Sequence, residues 1–316
     1  MEHNIPRVSI GLPVYNGEEF VGHAIDCILA QTFRDFELVI SDNASKDRTR
    51  EICESYAARD GRVRYFRNLT NIGLAPNHNR VVELSRGQIF VWASHDDYIA
   101  PDYLQQCVTA LDNDSSDVLC YARSLDVDEK GAPMTGASLR DRVMSGQELP
   151  TDSPEPHVRF RELIRFEHQC EAMLGVMRMS SLRDTSMHGN YADADRVLLA
   201  ELGLRGRFRR LPGRLFYHRE HSGRSVNLHG NRYDRTVWMD PSHAGKLFLP
   251  YIHQLFCLRN AVRKAPISFG QAFRCYLHLL AWIARYRRLF WSDIKYGFRQ
   301  AAKQILRLFY LRPTRS

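Results

Sequence analysis

Ile89-Phe-Val-Trp-Ala-Ser-His-Asp-Asp-Tyr-Ile-Ala-Pro-Asp-Tyr103 is the stretch from which the fold of this chain can be read. An apolar run, Ile89 to Ala93, breaks into Ser94-His95-Asp96-Asp97, and Pro101 then opens a helical pattern. The order is buried strand, polar loop, helix. In an α/β sheet, ligands bind outside the carboxyl ends of the strands, so Asp96 and Asp97 arrive where a ligand would sit. Divalent cations such as Mn²⁺ or Mg²⁺ take carboxylate oxygens and can bridge to phosphates. A solvated acidic turn is the alternative, and a short motif needs its context to decide.

Upstream, Val8, Ile10, Leu12 and Val14 alternate with Ser9, Gly11 and Pro13, predicting a first strand that ends at Tyr15-Asn16-Gly17. From Glu18 the period becomes helical. Phe36 to Ile40 reads as a second strand closed by Ser41-Asp42-Asn43-Ala44-Ser45, with Ser45 able to cap the next helix. Val63 to Phe66 is a third strand, and Pro76 suits the first turn of a helix reaching Leu84. Four strand-helix alternations in about a hundred residues predict an α/β fold with a mostly parallel central sheet and helices on both faces. Three strand ends then converge: Pro13 to Asn16, Asp42-Asn43, and Asp96-Asp97. Such a set suits a nucleotide, with Tyr15 against the base, Asp42 on base or ribose, and a metal on the phosphates.

Downstream, strands are expected at 117–121, 172–179, 208–211 and 215–217, the last two flanking Pro212-Gly213, and helices at 160–166 and from Tyr191. Residues 132–157 read as a long surface loop. The helix from Tyr191 opens with Asp193 and Asp195, acids that its dipole favours.

Composition bounds the function. A chain of 316 residues with 44% hydrophobic and 25% charged residues can bury a large core. Its seven scattered cysteines suit buried thiols in a reducing compartment, and the N-terminus shows no signal-peptide pattern; a cytoplasmic location follows as an expectation. The net charge of +8 is uneven: from Tyr251 onward thirteen basic residues face one acid, a net of +12, leaving −4 for the rest. That tail interleaves aromatic and basic residues, as in helices lying peripherally on an anionic membrane surface, or it packs as a helical subdomain; nucleic acid is disfavoured by the acidic body. The organisation expected is a catalytic domain over 1–230, split near 125, and a basic amphipathic helical tail over 231–316.

The residues Val8 to Asn16, Ser41 to Thr49, Asn71-Ile-Gly73 with Asn79-Arg80, and Ser94 to Asp97 followed by Pro101-Asp102 resemble the family 2 glycosyltransferases. The resemblance is specific over residues 8–125 and weaker over 170–225. It implies an inverting enzyme of the GT-A type that takes a nucleotide-diphospho-sugar, a UDP-sugar above all, and a saccharide or lipid-linked acceptor. By that resemblance Pro13, Tyr15, Asp42, Asn71 and Arg80 contact the donor, Asp96 and Asp97 occupy the acidic region with Asp97 on the metal, and Asp195 is the catalytic base. Asp195 is preferred to Asp193 because Asp195-Arg-Val-Leu-Leu matches the family's spacing. Phe216 to Ser225 resembles the closing motif, so Arg219 returns to the diphosphate and His221 to the metal, His218 being a strand histidine. Ser41 stands where many members have an Asp, and Ser94-His95 departs from the usual residues before the acidic pair. A dehydrogenase or nucleotidyltransferase is disfavoured by the absence of G-x-G-x-x-G after the first strand and of a P-loop. A membrane-associated scaffold that keeps the fold without the chemistry is the rival from another class.

Overall fold

The alternating pattern that opens the chain becomes β1 (Val8–Val14), with all seven residues buried. The structure is a computed structural model describing residues 5–134, 150–166, 170–223, 232–244 and 246–310, with side chains left aside at 300, 301 and 303–310. After β1 come α1 (Val21–Leu29), β2 (Phe36–Asp42), α2 (Thr49–Arg59), β3 (Val63–Arg67), α3 (Leu74–Leu84), β4 (Ile89–Trp92), β5 (Tyr98–Ile99), α4 (Tyr103–Asn113) and β6 (Asp117–Val127). They are followed by α5 (Pro156–Leu163), β7 (Val176–Arg178), α6 (Met179–Arg183), α7 (Ala194–Arg205) and β8 (Arg207–Arg219). Four helices close the chain: α8 (Arg232–Met239), α9 (Pro250–Lys264), α10 (Phe269–Arg285) and α11 (Arg287–Tyr310).

Among the described residues one sheet has the order β3-β2-β1-β4-β7-β6-β8-β5. The β3-β2-β1-β4 half is parallel, and β7 enters antiparallel between β4 and β6. Both faces are covered. One core gathers Ile10, Leu12, Ile25, Leu38, Ile40 and Leu104, and the other Phe90, Trp92, Phe160, Leu198, Phe208 and Trp282. The near-continuous apolar strands reflect burial on both sides, the condition of a parallel sheet clothed by helices.

Three expected strands take other forms. Residues 171–174 make a 3-10 turn before the short β7, and it ends at Gly175, where a Cβ would meet the Cys120 carbonyl oxygen at 2.9 Å. The segments flanking Pro212-Gly213 form one strand, β8, whose register against β6 shifts between Tyr121 and Arg123. A bulge of this kind absorbs Pro212, which cannot donate to a ladder. Ser45 does not cap α2: the residue before that helix is Arg48, and the Ser45 hydroxyl accepts the Asn16 N–H instead.

The tail packs on the body. Leu258, Ala261, Val262, Cys275, Leu279 and Trp282 belong to the same core as Phe160 and Leu198. Trp282 Nε1 donates to the Ile164 carbonyl at 2.8 Å, and the Tyr286 hydroxyl accepts the Phe166 N–H. No described helix is long and apolar enough to cross a membrane. The 132–157 loop lies outside the described residues over 135–149, as do Arg224 and Ser225.

Candidate active site

The parallel register lines up the strand ends. Val14 pairs with Asp42 and Gly11 with Trp92, so the loops after β1, β2 and β4 emerge together. Pro13 sits where β1 has already lost its pairing with β4, so its missing N–H leaves no acceptor stranded. Tyr15 beyond it is 39% exposed and open to a ligand. Asp42 is different. Its carboxylate is fully buried and accepts from the Ser45 N–H, the Tyr65 hydroxyl and Arg67 Nη1 at 2.6 to 2.8 Å. With three of about four acceptor positions taken, its remaining capacity toward a ligand is small.

A ladder of amides sets the next loop. Ser41 Oγ donates to Asn77 Oδ1, Asn68 Nδ2 reaches Asn77 and Asn43, and Asn43 Nδ2 donates to Asn71 Oδ1 and to the Gly73 carbonyl. Ser41 thus has a structural partner where an acid would be a buried charge. Asn71 is exposed at the end of the ladder, while Arg80 on α3 keeps a buried Nε without a hydrogen-bond partner among the described residues.

The acidic pair precedes β5, and β5 pairs antiparallel with β8 through Tyr98–Tyr217 and Ile99–Phe216. That register brings the closing motif onto the pair. His221 Nε2 stands 3.0 Å from Asp96 Oδ2, and His218 Nδ1 3.0 Å from Asp97 Oδ1. His221 and Asp97 are expected on one metal; the antiparallel register sets His221 against Asp96, the neighbouring carboxylate. The His218 contact has an ion-pair distance without hydrogen-bond geometry, and both ring nitrogens are otherwise unpartnered among the described residues. Burial alone would raise the Asp96 carboxyl, but the His221 hydrogen bond, the His95 charge and the Ser94 hydroxyl hold it below the usual carboxylate range.

Arg219 is committed to the protein. It is 4% exposed, its backbone N–H donates to Asp97 Oδ1, Nε to the Asp96 carbonyl and Nη1 to the Glu129 carbonyl, and its guanidinium lies over Phe20 and Tyr98. Expected on a diphosphate, it ties the acidic loop to β8 in this structure.

Among the described residues no three His, Cys, Asp or Glu side chains converge on a metal position. The donor set present nevertheless fits Mn²⁺ or Mg²⁺, which use one or two protein carboxylates and complete their shell with waters and phosphates. Asp96 and His221, hydrogen-bonded to each other at 3.0 Å, are the pair that would hold such an ion.

A cavity of about 190 Å³ adjoins the pair, lined by Tyr103, Ser124, Glu171, Asp195, Phe216 and His218 among others. His218 touches Asp97 and walls the cavity that holds Asp195, so the acidic pair and Asp195 meet across one imidazole. Cys170 also lines it; burial, and then the Asp195 charge, push its thiol well above the ordinary value. Asp193 faces away, ion-paired with Arg232 and 3.9 Å from Arg235 of α8. Sequence reading missed His218 as part of the site, and also Glu171 and the amide ladder. The signal for His218 was its spacing of three from His221 beside a strand able to pair after Asp97.

A sequence model described as Glycosyl transferase family 2 matches residues 9–168. An uncharacterized glycosyltransferase of Rickettsia felis is 36% identical over 132 residues, 41% of this chain and 21% of that protein. Chondroitin synthase of Escherichia coli is 31% identical over 127 residues, 40% of this chain and 18% of the synthase. The uncharacterized glycosyltransferase EpsJ of Bacillus subtilis is 34% identical over 115 residues, 36% of this chain and 33% of its own. The matched segment spans well under two thirds of each relative. The crystal structure of S. aureus TarS 1-349 in complex with UDP has a TM-score of 0.59 at 15% identity, covering 89% of this chain and 73% of that one. Mannosyltransferase PcManGT from Pyrobaculum calidifontis, in complex with GDP-Man and Mn²⁺, has a TM-score of 0.53 at 16% identity, covering 98% and 89%. At these identities the likeness is one of fold.

Proposed function

Because the chain belongs to glycosyl transferase family 2, we propose that it is an inverting enzyme moving a sugar from a nucleotide-diphosphate donor, a UDP-sugar above all, to an acceptor hydroxyl. The acceptor proposed is a saccharide or a lipid-linked glycan in bacterial-type surface polysaccharide or glycolipid synthesis, worked on at the cytoplasmic side of the membrane. Solved structures of the same fold hold UDP, UDP-GlcNAc or GDP-Man, and one relative is a chondroitin synthase, which supports the substrate class.

The single observation that carries the reading is the cavity that Asp195 and His218 both line, with His218 in turn against Asp97. An inverting transfer needs a base on the acceptor side and charge neutralisation on the leaving-group side, a few ångströms apart. Asp195 accepts the proton of the acceptor hydroxyl as that oxygen attacks the anomeric carbon, while the bond from that carbon to the diphosphate oxygen breaks and the nucleoside diphosphate leaves with the electron pair. Asp96 and His221 would hold a divalent cation, which when bound neutralises charge on the donor's phosphates. Asp97 and Arg219 keep the acidic loop against β8, and His218 closes the gap between the two halves. Tyr15 and Asn71, both exposed at the strand ends, are the contacts offered to the nucleoside, with Pro13 and Asp42 shaping the floor beneath them. Arg80, whose Nε has no described partner, is offered to the diphosphate.

A panel of UDP- and GDP-sugars, incubated with and without Mn²⁺ and followed by anomeric analysis of the product, tests this. Metal-dependent transfer with inverted configuration is the expected result. Retention of configuration would remove the single-displacement mechanism, and donor binding without transfer to any acceptor would favour the scaffold.

A further inference from the structure

Helix α10 has two faces of opposite kinds. Inward, Cys275, Leu279 and Trp282 are at most 4% exposed. Outward stand Phe269, Phe273, Tyr276, Leu277 and Leu280, exposed by 87, 55, 37, 48 and 63%. At about 100° per residue these five occupy an arc of roughly 100°, the width of a core-facing stripe, yet they face solvent. The arc continues through exposed Gly270, Ala281 and Ala284 and ends at exposed Arg274 and Arg285. On α11, Trp291 and Phe298 are 60% and 74% exposed amid exposed Arg287, Arg288, Lys295 and Arg299.

Within the tail the exposed charge has one sign, while Glu155 of the body meets Gln271 at the start of α10. From Tyr251 onward the single acid is Asp293, which is buried and accepts the backbone N–H groups of Tyr251 and Ile252. A second copy of the chain would bring the same cations to the contact, at a net charge of +8 per chain. A nucleic acid would use the cations and leave the apolar stripe wet. An anionic bilayer takes both, since apolar side chains enter the acyl boundary while the cations meet headgroup charge. No described helix can cross that bilayer, so the contact is one of lying on it.

We infer that the outward face of α10, with the exposed cations of α9 to α11, is a monotopic docking surface for an anionic lipid bilayer. It deepens the proposed function by placing the transferase beside a lipid-linked acceptor, and rests on that reading for its purpose but not for its physics. The stripe supplies depth of insertion and the cations supply lipid selectivity, so binding weakens with salt.

Co-sedimentation of the full chain with phosphatidylcholine vesicles, with or without about a third phosphatidylglycerol, tests it. Binding is expected to the anionic vesicles, reduced in about 0.5 M NaCl. The variant Phe273→Ser/Leu277→Ser/Leu280→Ser should lose about tenfold or more in partitioning while its urea midpoint stays at the wild-type value, these side chains being exposed. Arg287→Gln/Arg288→Gln/Lys295→Gln should lower anionic binding toward the neutral level, again with an unchanged midpoint. No sedimentation with either vesicle, or equal binding to both, overturns the proposal. So does a solution dimer that the triple serine variant dissolves, which would give the face to a second copy. Donor hydrolysis by that variant in free solution should match wild type. A chain that binds anionic vesicles but transfers no sugar keeps the surface and loses the proposed function.

Discussion

Asp193 takes a left-handed backbone conformation, φ 64°, immediately before α7, and its carboxylate pairs with Arg232, whose guanidinium is held between Phe166 and Tyr251. Asp195, two positions on and inside the helix, lines the cavity instead. Two acids that are near-equivalent in sequence therefore separate into an anchor and a candidate base. Asp195→Asn is expected to keep nucleoside-diphosphate affinity by calorimetry and to lower transfer by about 10²-fold or more. Asp193→Asn should keep transfer but lose about 1 kcal/mol of stability in urea titration, because the ion pair with Arg232 goes with it. Reversed effects on transfer would exchange the two roles. His78 gives a pH signature. Burial first, then the charges of His188 and His95, press its imidazole down to about 3 from an ordinary 6.5. Between those values the unfolded chain binds the proton and the folded chain does not, so stability is lost as pH falls below about 6.5. His188 shifts the same way, with burial as the leading cause. Urea midpoints at pH 7 and pH 5 should show the loss, and His78→Gln should lessen it; an unchanged pH slope would contradict the burial argument.

At the scale of elements, the first half of the sheet was legible because each strand is local: β1, β2, β3 and β4 are apolar runs closed by turn residues, each followed by its own helix. The second half was not. Strand β8 runs through Pro212-Gly213 because its pairing with β6 tolerates a register shift, a fact about another strand nearly ninety positions away. Strand β5 has only two residues, too few for any periodicity, yet its pairing with β8 brings His218 and His221 to Asp97 and Asp96. Helix α10 shows the same division. Its amphipathic spacing was visible, but which aromatics turn inward depended on α5 and α9. Trp282 is 3% exposed and bonds the carbonyl beyond α5, so Trp282→Ala should cost about 3–5 kcal/mol by denaturant titration. Trp282→Phe should cost about 1–3 kcal/mol, since the Ile164 carbonyl is left without its donor. A cost near zero for both would mean the helix does not share the core.

At the scale of the whole molecule, α9 and α10 complete a core begun by α5 and α7, so tail and body are expected to unfold together. Calorimetry of the full chain should give a single transition with calorimetric and van't Hoff enthalpies in agreement. A chain ending at residue 249 should aggregate or bind a hydrophobic dye, since its end uncovers the face that Leu258, Val262, Leu279 and Trp282 bury. A soluble truncated chain melting near the full-length temperature would show two independent units. Helix α8 adds to the coupling. Thr236 Oγ1 accepts the Ala192 N–H before the Asp195 helix, and a Cβ on Gly73 would lie 3.0 Å from the Met239 carbonyl oxygen, so the same helix borders both the entry to α7 and the loop before α3. The sequence by itself determined the α/β class, the order of the first strands, the acidic pair at a strand end and the basic tail, because each is written in neighbouring residues through periodicity, turn chemistry and charge. Only the tertiary structure decided that His221 meets Asp96, that Arg219 serves the acidic loop, that Asp193 anchors while Asp195 lines the cavity, and which side of α10 stays exposed. Those outcomes depend on strand register and helix packing between segments far apart in the chain, where a shift of one residue would reverse which side chain faces the site.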